Sequence, residues 1–232
     1  MSPPTIERLG RTGYAEALRR QLETHERVHA ARQHGGPVLG TILVVEHDPV
    51  ITRTRKSIET GTLVASEDTL SHRGVALHDT DRGGDITYHG PGQVVCYPII
   101  DLNAAGLRIH AYIRLLEQAI IDTLADLGID ARRDPGATGV WVEHEGALAK
   151  IAAIGVRVRR WITLHGLALN VDPDLDHFSL IVPCGLAGRP VTSLARVLGD
   201  SSPSVDEVGD ALAARVAALL VEAAETRPPP RL

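Results

Sequence analysis

The spacing of apolar residues along the chain predicts three long helices. Residues 14–33 combine strong helix formers with apolar residues at helical spacing, so a first helix is expected there. Residues 110–127 place apolar side chains on one helical face, and Gly128 follows as the expected end of a second helix. Ser204 and Glu207 form the S-x-x-E pattern of a capping box, which predicts that a third helix begins there.

Apolar, β-branched runs predict strands over most of the remaining chain. The first run covers residues 38–47, and the polar stretch at 49–73 that follows it is expected to form a long loop. The runs read VLGTILVVEH, GVALHDT, VVCYPIIDL, GVWVEH, AKIAAIGVRVRR, TLHGLALNVD and SLIVPC. Because the later runs follow one another with only short turns, a mixed, largely antiparallel sheet is expected rather than repeated βαβ units. The predicted fold class is therefore α+β, with the sheet flanked by helices.

Length and patterning predict a single domain. A chain of 232 residues with 44% hydrophobic residues is long enough and apolar enough to bury one sizeable core. No internal repeat and no separating linker is found in the sequence. We therefore expect one domain over residues 1–232, with a frayed tail at 226–232.

Composition and charge narrow the classes of function. The net charge of −5 argues against a nucleic-acid partner, since a DNA-binding domain is usually basic. No apolar run is long enough to cross a membrane, and the first residues lack the pattern of a secretory signal. Two cysteines cannot form a disulfide framework, so a cytoplasmic location is expected. The chain also lacks GxxxxGK[ST], CxxC and HExxH motifs and short metal-ligand spacings, so neither a cofactor nor a metal is expected.

A glycine-rich stretch, RGGDITYHGPGQ at residues 82–93, raises the question of phosphate binding. It has no Walker lysine, and it leads into a predicted strand rather than a helix, so no helix N-terminus is offered to an anion. Bare backbone can instead line a narrow groove, because missing side chains let an extended ligand approach closely. We therefore interpret the stretch as a backbone cradle with Arg82 and His89 as its polar edges.

The two cysteines differ in their surroundings. Cys96 lies inside the apolar run VVCYPII, where a cysteine usually behaves as a small buried hydrophobe. Cys184 follows Pro183 at a predicted strand end and precedes two glycines, so its thiol is expected to be accessible. Its placement alone leaves a functional and a structural role equally open.

A nucleophilic thiol needs a nearby cation or base, because its reference pKa of about 8.5 must be lowered. Lys150, His89 and His165 are the candidates in this chain. Lys150 opens an apolar run, and burial would favour its neutral, basic form. The alternative is a lysine at a strand end whose ammonium reaches water, and the residues alone favour this alternative. His165, on a predicted strand, fits a hydrogen-bonded structural role, whereas His89 between glycines is the better functional candidate.

Four motifs in fixed order resemble the lipoyl(octanoyl) transferase family. They are RGGDITYHGPGQ, KIAAIGVRV, HGLALNV and IVPCG, and the resemblance extends over about residues 38–199. It implies an α+β fold like that of the biotin and lipoate protein ligases. It also implies transfer of an octanoyl group from octanoyl-acyl carrier protein to a lysine of a lipoyl domain. The acceptors implied are the lipoyl domains of 2-oxoacid dehydrogenase complexes and the glycine cleavage H protein.

The resemblance also assigns roles to residues. It implies that Cys184 carries the acyl group as a thioester and that Lys150 is its dyad partner. The segments that match the family's substrate contacts contain Arg82, Gly83, Gly84, Asp85, Ile86, Thr87, Tyr88, His89, Ala153, Ile154, Gly155, Gly166, Leu167 and Ala168. Backbone amides near Cys184, Gly84 or Gly166 could hold the oxyanion.

One segment of the chain departs from the sequence pattern of the family. Many members carry T-x-G-[RK] in the first loop, whereas residues 52–55 read TRTR here.

Both protein partners in the family are acidic, as this chain is, so a local basic face is expected to steer them. The candidate residues for this face are Arg53, Arg55, Lys56, Arg157, Arg159 and Arg160.

Two rival functions remain from the sequence alone. An ATP-dependent lipoate or biotin ligase of the same fold activates the acid as an adenylate and needs no cysteine, and the motif order of Lys150 and Cys184 argues against it. A non-catalytic acyl-binding module would bind octanoyl without transferring it.

Overall fold

The structure, a computed structural model, describes residues 2–35, 39–182 and 189–226. Its main element is a seven-stranded sheet in the order β1-β2-β6-β10-β9-β8-β7. The strands are β1 (Thr5–Thr12), β2 (Gly40–His47), β6 (Gln93–Ile100), β7 (Ala131–Asp134), β8 (Ala137–His144), β9 (Ala147–Arg159) and β10 (Ile162–Asn170). β1 and β2 run parallel, and every other neighbouring pair in this sheet is antiparallel. The predicted α+β class with a mixed, largely antiparallel sheet is confirmed.

Helices cover both faces of this sheet, as predicted. α1 (Tyr14–Gln33) contributes Ala17 and Val28 to a core cluster on one face. α4 (Ile109–Asp126) and α6 (Val205–Glu225) contribute to a larger core cluster, which also contains α5 (Leu194–Leu198). Both halves of the predicted capping box at the start of α6 are present. No helix in the described ranges is long and apolar enough to span a membrane.

A second, three-stranded sheet has the order β4-β3-β5. β3 (Val50–Arg53) runs parallel to β4 (Ala76–Asp79) and antiparallel to β5 (Ile86–His89). The prediction of one long loop at 49–73 was wrong, since this stretch contains β3 and two short helices, α2 (Arg55–Thr60) and α3 (Glu67–His72). Elements of four to six residues are too short to give a readable period.

One further prediction needs correction. The run SLIVPC does not begin as a strand: Leu175–Leu180 forms a 3-10 helix, and Ile181 makes only an isolated bridge to Leu63. Pro183 and Cys184, at the end of this run, lie outside the described residues. A short 3-10 helix, Gly199–Ser201, connects α5 to the start of α6.

Candidate functional site

The glycine-rich stretch and the centre of the large sheet enclose a cavity of about 510 Å³. Its volume lies in the range usual for small-molecule sites. All but two of the residues predicted to contact substrate line this cavity. Those that line it are Arg82, Gly83, Gly84, Asp85, Thr87, His89, Ala153, Ile154, Gly155, Gly166, Leu167 and Ala168. The structure therefore brings together segments that are up to 86 residues apart in sequence (Arg82 to Ala168).

The exceptions, Ile86 and Tyr88, follow from the alternation of a strand. Successive side chains of β5 point to opposite faces, so Thr87 and His89 face the cavity while Ile86 and Tyr88 face away. Both are fully buried in a separate core cluster. Of the larger apolar residues in the predicted substrate-contact segments, Ile154 and Leu167 line this cavity and Ile86 does not.

The floor of the cavity consists of directly paired residues of β9 and β10. Gly155 lies opposite Gly166, Ile154 opposite Leu167, and Ala153 opposite Ala168. Residues 153–155 are the middle of a long strand, in agreement with the strand predicted for the run AKIAAIGVRVRR. Glycine and alanine at four of these six positions leave the sheet surface open to a ligand.

The loop at residues 82–85, which we call the Arg82 loop, lies with its backbone directly on β9. The Gly83 N–H donates to the Val156 carbonyl at 2.9 Å. A Cβ at Gly155 would stand 2.8 Å from the Gly83 carbonyl oxygen, closer than any side chain allows. Gly84 has a φ of +89°, a conformation that favours glycine. The bare backbone inferred from sequence is thus a close contact between two segments.

Arg82 fixes this loop to the small sheet. Its Nη2 donates to the carbonyl and to Oγ1 of Thr52, at 3.0 and 3.1 Å. From the segment that departs from the family, Thr54 Oγ1 donates to the Gly84 carbonyl at 3.3 Å. Thr54 also caps α2, because its Oγ1 accepts the Ser57 N–H at 3.5 Å. The divergent threonine therefore supports the Arg82 loop.

Lys150 lines the same cavity from β9 and is half-buried. Trp141 of β8 is its partner across the strands, and the Lys150 Nζ lies 5.2 Å from the centre of that indole ring. A Cβ at Gly139 would stand 2.6 Å from the Lys150 Cε. The side chain of Lys150 therefore occupies space that any residue except glycine at position 139 would take.

The main chain of Lys150 is bonded to the residues that follow the Cys184 segment. Its N–H donates to the Pro190 carbonyl at 2.9 Å, and its carbonyl accepts the Thr192 N–H at 2.9 Å. On the other side of the undescribed residues 183–188, the Val182 N–H donates to the Thr62 carbonyl at 2.8 Å. The predicted nucleophile itself lies outside the described residues, and only the attachment points of its segment are seen.

Cations are numerous around the cavity. Lys56, Arg82, Lys150 and Arg189 line it together with the carboxylate of Asp85. The Asp85 carboxylate accepts the Thr62 hydroxyl at 3.1 Å. Arg189 stacks on the indole ring of Trp141, 3.9 Å from its centre, and pairs with Asp134.

The predicted basic face is largely neutralised by carboxylates. Four of its candidates form ion pairs: Arg53 with Asp79, Arg55 with Glu59, Arg157 with Asp81 and Arg160 with Glu26. This expectation was therefore too broad. Lys56 is the candidate that faces the cavity.

Three buried histidines lie at or beside the site and are neutral. Burial lowers the pKa of His47 to about 4, that of His89 to about 3 and that of His165 to about 4. His165 Nε2 lies 3.1 Å from the Asp81 carboxylate, in keeping with the hydrogen-bonded role inferred for it. It also lines the cavity and has a φ of +59°, which the sequence did not indicate.

The second cysteine, Cys96, has no access to the cavity. Cys96 is fully buried, and burial raises the pKa of its thiol to about 12, so the interpretation as a buried hydrophobe is confirmed.

Sequence reasoning missed Tyr14, Tyr97 and Arg189, which also line the cavity. None belongs to a motif with readable chemistry, and they reach the site only through tertiary packing.

Comparison with known sequences decides the family. The sequence model described as "Lipoyl protein ligase A/B catalytic domain" matches residues 15–217. An octanoyltransferase of Solibacter usitatus is 50% identical over 205 residues, 88% of this chain and 87% of that protein. One of Chloroflexus aurantiacus is 46% identical over 215 residues, 91% and 92% of the two chains. The chain belongs to the lipoyl(octanoyl) transferase family. As a member of that family, it is a transferase.

Solved structures agree with the fold of this family. The putative lipoate protein ligase Ta0514 of Thermoplasma acidophilum superposes with a TM-score of 0.68 at 20% identity, covering 95% of this chain and 87% of that one. A biotin protein ligase of Aquifex aeolicus superposes with a TM-score of 0.55 at 15% identity, covering 96% and 72%. The predicted likeness to biotin and lipoate protein ligases is confirmed for the fold.

Proposed function

We propose that this octanoyltransferase-family chain moves an octanoyl group from octanoyl-acyl carrier protein, through a thioester on Cys184, to the lysine of a lipoyl domain. One observation carries the proposal: Lys150 faces the cavity while its main chain binds residues 190 and 192, which end the segment containing Cys184. The relatives named octanoyltransferase support the acyl group. Lipoyl domains of 2-oxoacid dehydrogenase complexes and the glycine cleavage H protein are the proposed acceptors.

In the first half of the reaction, the Cys184 thiolate attacks the carbonyl carbon of the carrier's thioester. A new C–S bond forms to Cys184, the old C–S bond breaks, and the carrier leaves as its thiol with the proton that Cys184 lost. Lys150 holds that proton between the two sulfurs. One thioester replaces another, so the step is nearly balanced in free energy and needs no ATP.

In the second half, the neutral amine of the acceptor lysine attacks the acyl carbon. A C–N bond forms, the C–S bond to Cys184 breaks, and the proton lost by the amine passes through Lys150 to the departing sulfur. An amide replaces a thioester, which is downhill. Ile154 and Leu167 on the cavity floor supply apolar surface for the alkyl chain.

Mass spectrometry after incubation with octanoyl-acyl carrier protein tests the proposal. About one octanoyl adduct per chain is expected, absent in Cys184→Ala, because covalent catalysis stores the acyl group on the sulfur. Cys96→Ala is the matched control and should keep the adduct, since that thiol is fully buried. Full transfer by Cys184→Ala would refute the mechanism, and dependence on ATP would favour the ligase alternative. Binding of octanoyl without transfer would favour the non-catalytic module.

A further inference from the structure

A chain of side-chain hydrogen bonds runs from the cavity into the protein. His89 Nδ1 lies 2.7 Å from Gln93 Oε1, and Gln93 Nε2 donates to Asn170 Oδ1 at 2.8 Å. Asn170 Nδ2 donates to the Thr192 carbonyl at 2.9 Å. His89, Gln93 and Asn170 are all buried, so these bonds are shielded from water. We call this set the His89 relay.

The direction of every bond in the His89 relay follows from its last member. A backbone carbonyl can only accept, so the Asn170 amide group must present its NH₂ to Thr192 and its oxygen to Gln93. Gln93 must then present its NH₂ to Asn170 and its oxygen to His89. The proton of His89 is therefore on Nδ1, and Nε2 carries a lone pair.

The surroundings of His89 keep this tautomer neutral. Burial is the largest cause that lowers the pKa of His89, to about 3. His47, Arg82 and His165 on the neighbouring segments contribute to this lowering, and the hydrogen bond to Gln93 opposes it. His89 lines the cavity, and within the described part of the chain Nε2 makes no hydrogen bond. The group offered to a ligand is thus a neutral, buried acceptor.

We propose that His89 Nε2 accepts an N–H of the incoming lysine amine and orients it for attack, and that Gln93 and Asn170 are positioning residues that fix this acceptor. The proposal rests on the function proposed above and names a recognition group for its second substrate. The attacking amine must be uncharged, because its lone pair forms the new bond, so it is matched by a neutral acceptor. Lys56, Arg82 and Arg189 around the cavity disfavour an ammonium, although the carboxylate of Asp85 also lines it and Asp134 pairs with Arg189. His89 does not take up the amine's proton, because its pKa lies far below that of an amine; that task stays with Lys150.

The His89 relay also reaches Lys150. Its last residue, Thr192, donates its own N–H to the Lys150 carbonyl at 2.9 Å. Gln93, Asn170 and Lys150 further share the wall of a second cavity of about 30 Å³. The acceptor for the amine and the proposed base are thus held by one continuous network.

The variant Gln93→Glu tests the positioning role with almost no change in shape. A carboxylate cannot donate to Asn170, and its charge beside Nδ1 favours a doubly protonated His89, whose Nε2 becomes a donor. Transfer from isolated octanoyl-enzyme to a lipoyl domain should fall roughly 10- to 100-fold at pH 6, the effect of one lost hydrogen bond at the reacting group. It should recover as the pH rises through the new, higher pKa of His89. Gln33→Glu, at the exposed end of α1, is the matched control for charge.

Two results of this pH profile would overturn the proposal: transfer as fast as in the wild type at every pH, or a loss that does not change with pH. The second result would mean that Gln93 only supports the fold. Normal acylation of Cys184 in either case would leave the proposed function intact, whereas absence of that adduct in the wild type would refute the proposed function itself.

Nitrogen-15 NMR of the histidine side chains tests the relay in the wild-type protein, and a variant is needed only to assign the signal. His89, assigned by its absence in His89→Asn, should show a protonated Nδ1 and an unprotonated Nε2 without titrating between pH 5 and 8. A proton on Nε2, or titration in that interval, would overturn the proposal. This measurement does not depend on Cys184, so it separates the tautomer from the acyl-transfer mechanism.

Discussion

Gly139 on β8 lies against the side chain of Lys150 on β9. A Cβ at position 139 would stand 2.6 Å from the Lys150 Cε and 2.5 Å from the Ala152 carbonyl oxygen. The indole ring of Trp141 lies on the lysine as well, 5.2 Å from Nζ. The path of the Lys150 side chain, the proposed base, therefore depends on the absence of a side chain at Gly139.

Gly139→Ala should displace Lys150 and slow octanoyl transfer by roughly 10- to 100-fold, the usual cost of misplacing a reacting group by about an ångström. Gly146→Ala is the matched control, because Gly146 also has a positive φ, +75°, but open space around its Cβ position. Transfer rates and melting temperatures of both variants provide the measurement. Normal transfer by Gly139→Ala would contradict the role assigned to this contact.

Gly155→Ala should push the Arg82 loop off β9. The new Cβ would meet the Gly83 carbonyl oxygen at 2.8 Å and the Arg82 Cδ at 3.1 Å, and backbone at that distance must move. We expect a loss of transfer with a higher KM for the acyl donor, since the loop lines the cavity. Gly13→Ala, at a φ of −63° with nothing within 4 Å, should behave like the wild type. Unchanged kinetics in Gly155→Ala would show that the loop tolerates the shift.

Thr54→Ala should destabilise the protein by about 1 kcal/mol, because it removes the cap of α2. It also removes the 3.3 Å bond to the Gly84 carbonyl, so the Arg82 loop should become more mobile and transfer should slow. Thr54→Ser keeps the hydroxyl and should restore both properties. Urea unfolding together with a transfer assay separates the two effects, and equal behaviour of the alanine and serine variants would argue against both bonds.

Acid should destabilise the fold through its buried histidines. The pKa of His47 is about 4 in the folded chain, below the ordinary 6.5, so the unfolded chain binds this proton first as the pH falls. The stability linked to His47 is complete above pH 6.5 and is lost between about pH 6.5 and 4, by roughly 2–3 kcal/mol.

Unfolding free energies measured at pH 7.5 and 4.5 test this loss. His47→Gln should show a smaller difference between the two pH values than the wild type, even if its stability is lower at both. His72→Gln, at an exposed position, should keep the wild-type difference. An equal pH dependence in all three proteins would exclude His47 as a source of acid sensitivity.

The long elements of this fold were predictable because they repeat a pattern over many residues. α1, α4 and α6 were predicted within about one residue, and their apolar faces cover the sheet as expected. β1 and β7 were missed: β1 reads TIERLGRT, and its sheet position depends on pairing with β2 rather than on its own residues. Short elements such as α2 depend on single capping bonds, which hydrophobic patterning does not report.

The candidate site was predictable where its backbone is special and not where distant side chains meet. Glycines marked the Arg82 loop and the paired floor of β9 and β10, because a close approach requires them. Tyr88 was assigned to the site because it belongs to a motif, yet strand alternation turns it into the core. The His89 relay joins residues 89, 93, 170 and 192, and nothing local to any of them indicates the others.

The backbone amide of Lys150 is closed to solvent by the way its strand is bonded. Its N–H donates to the Pro190 carbonyl at 2.9 Å, and Pro190 follows the Cys184 segment in sequence. Its proton exchanges with deuterium from the solvent only when residues 190–192 separate from β9. The exchange rate of this single amide therefore records how often residues 190–192, which follow the Cys184 segment, come away from β9.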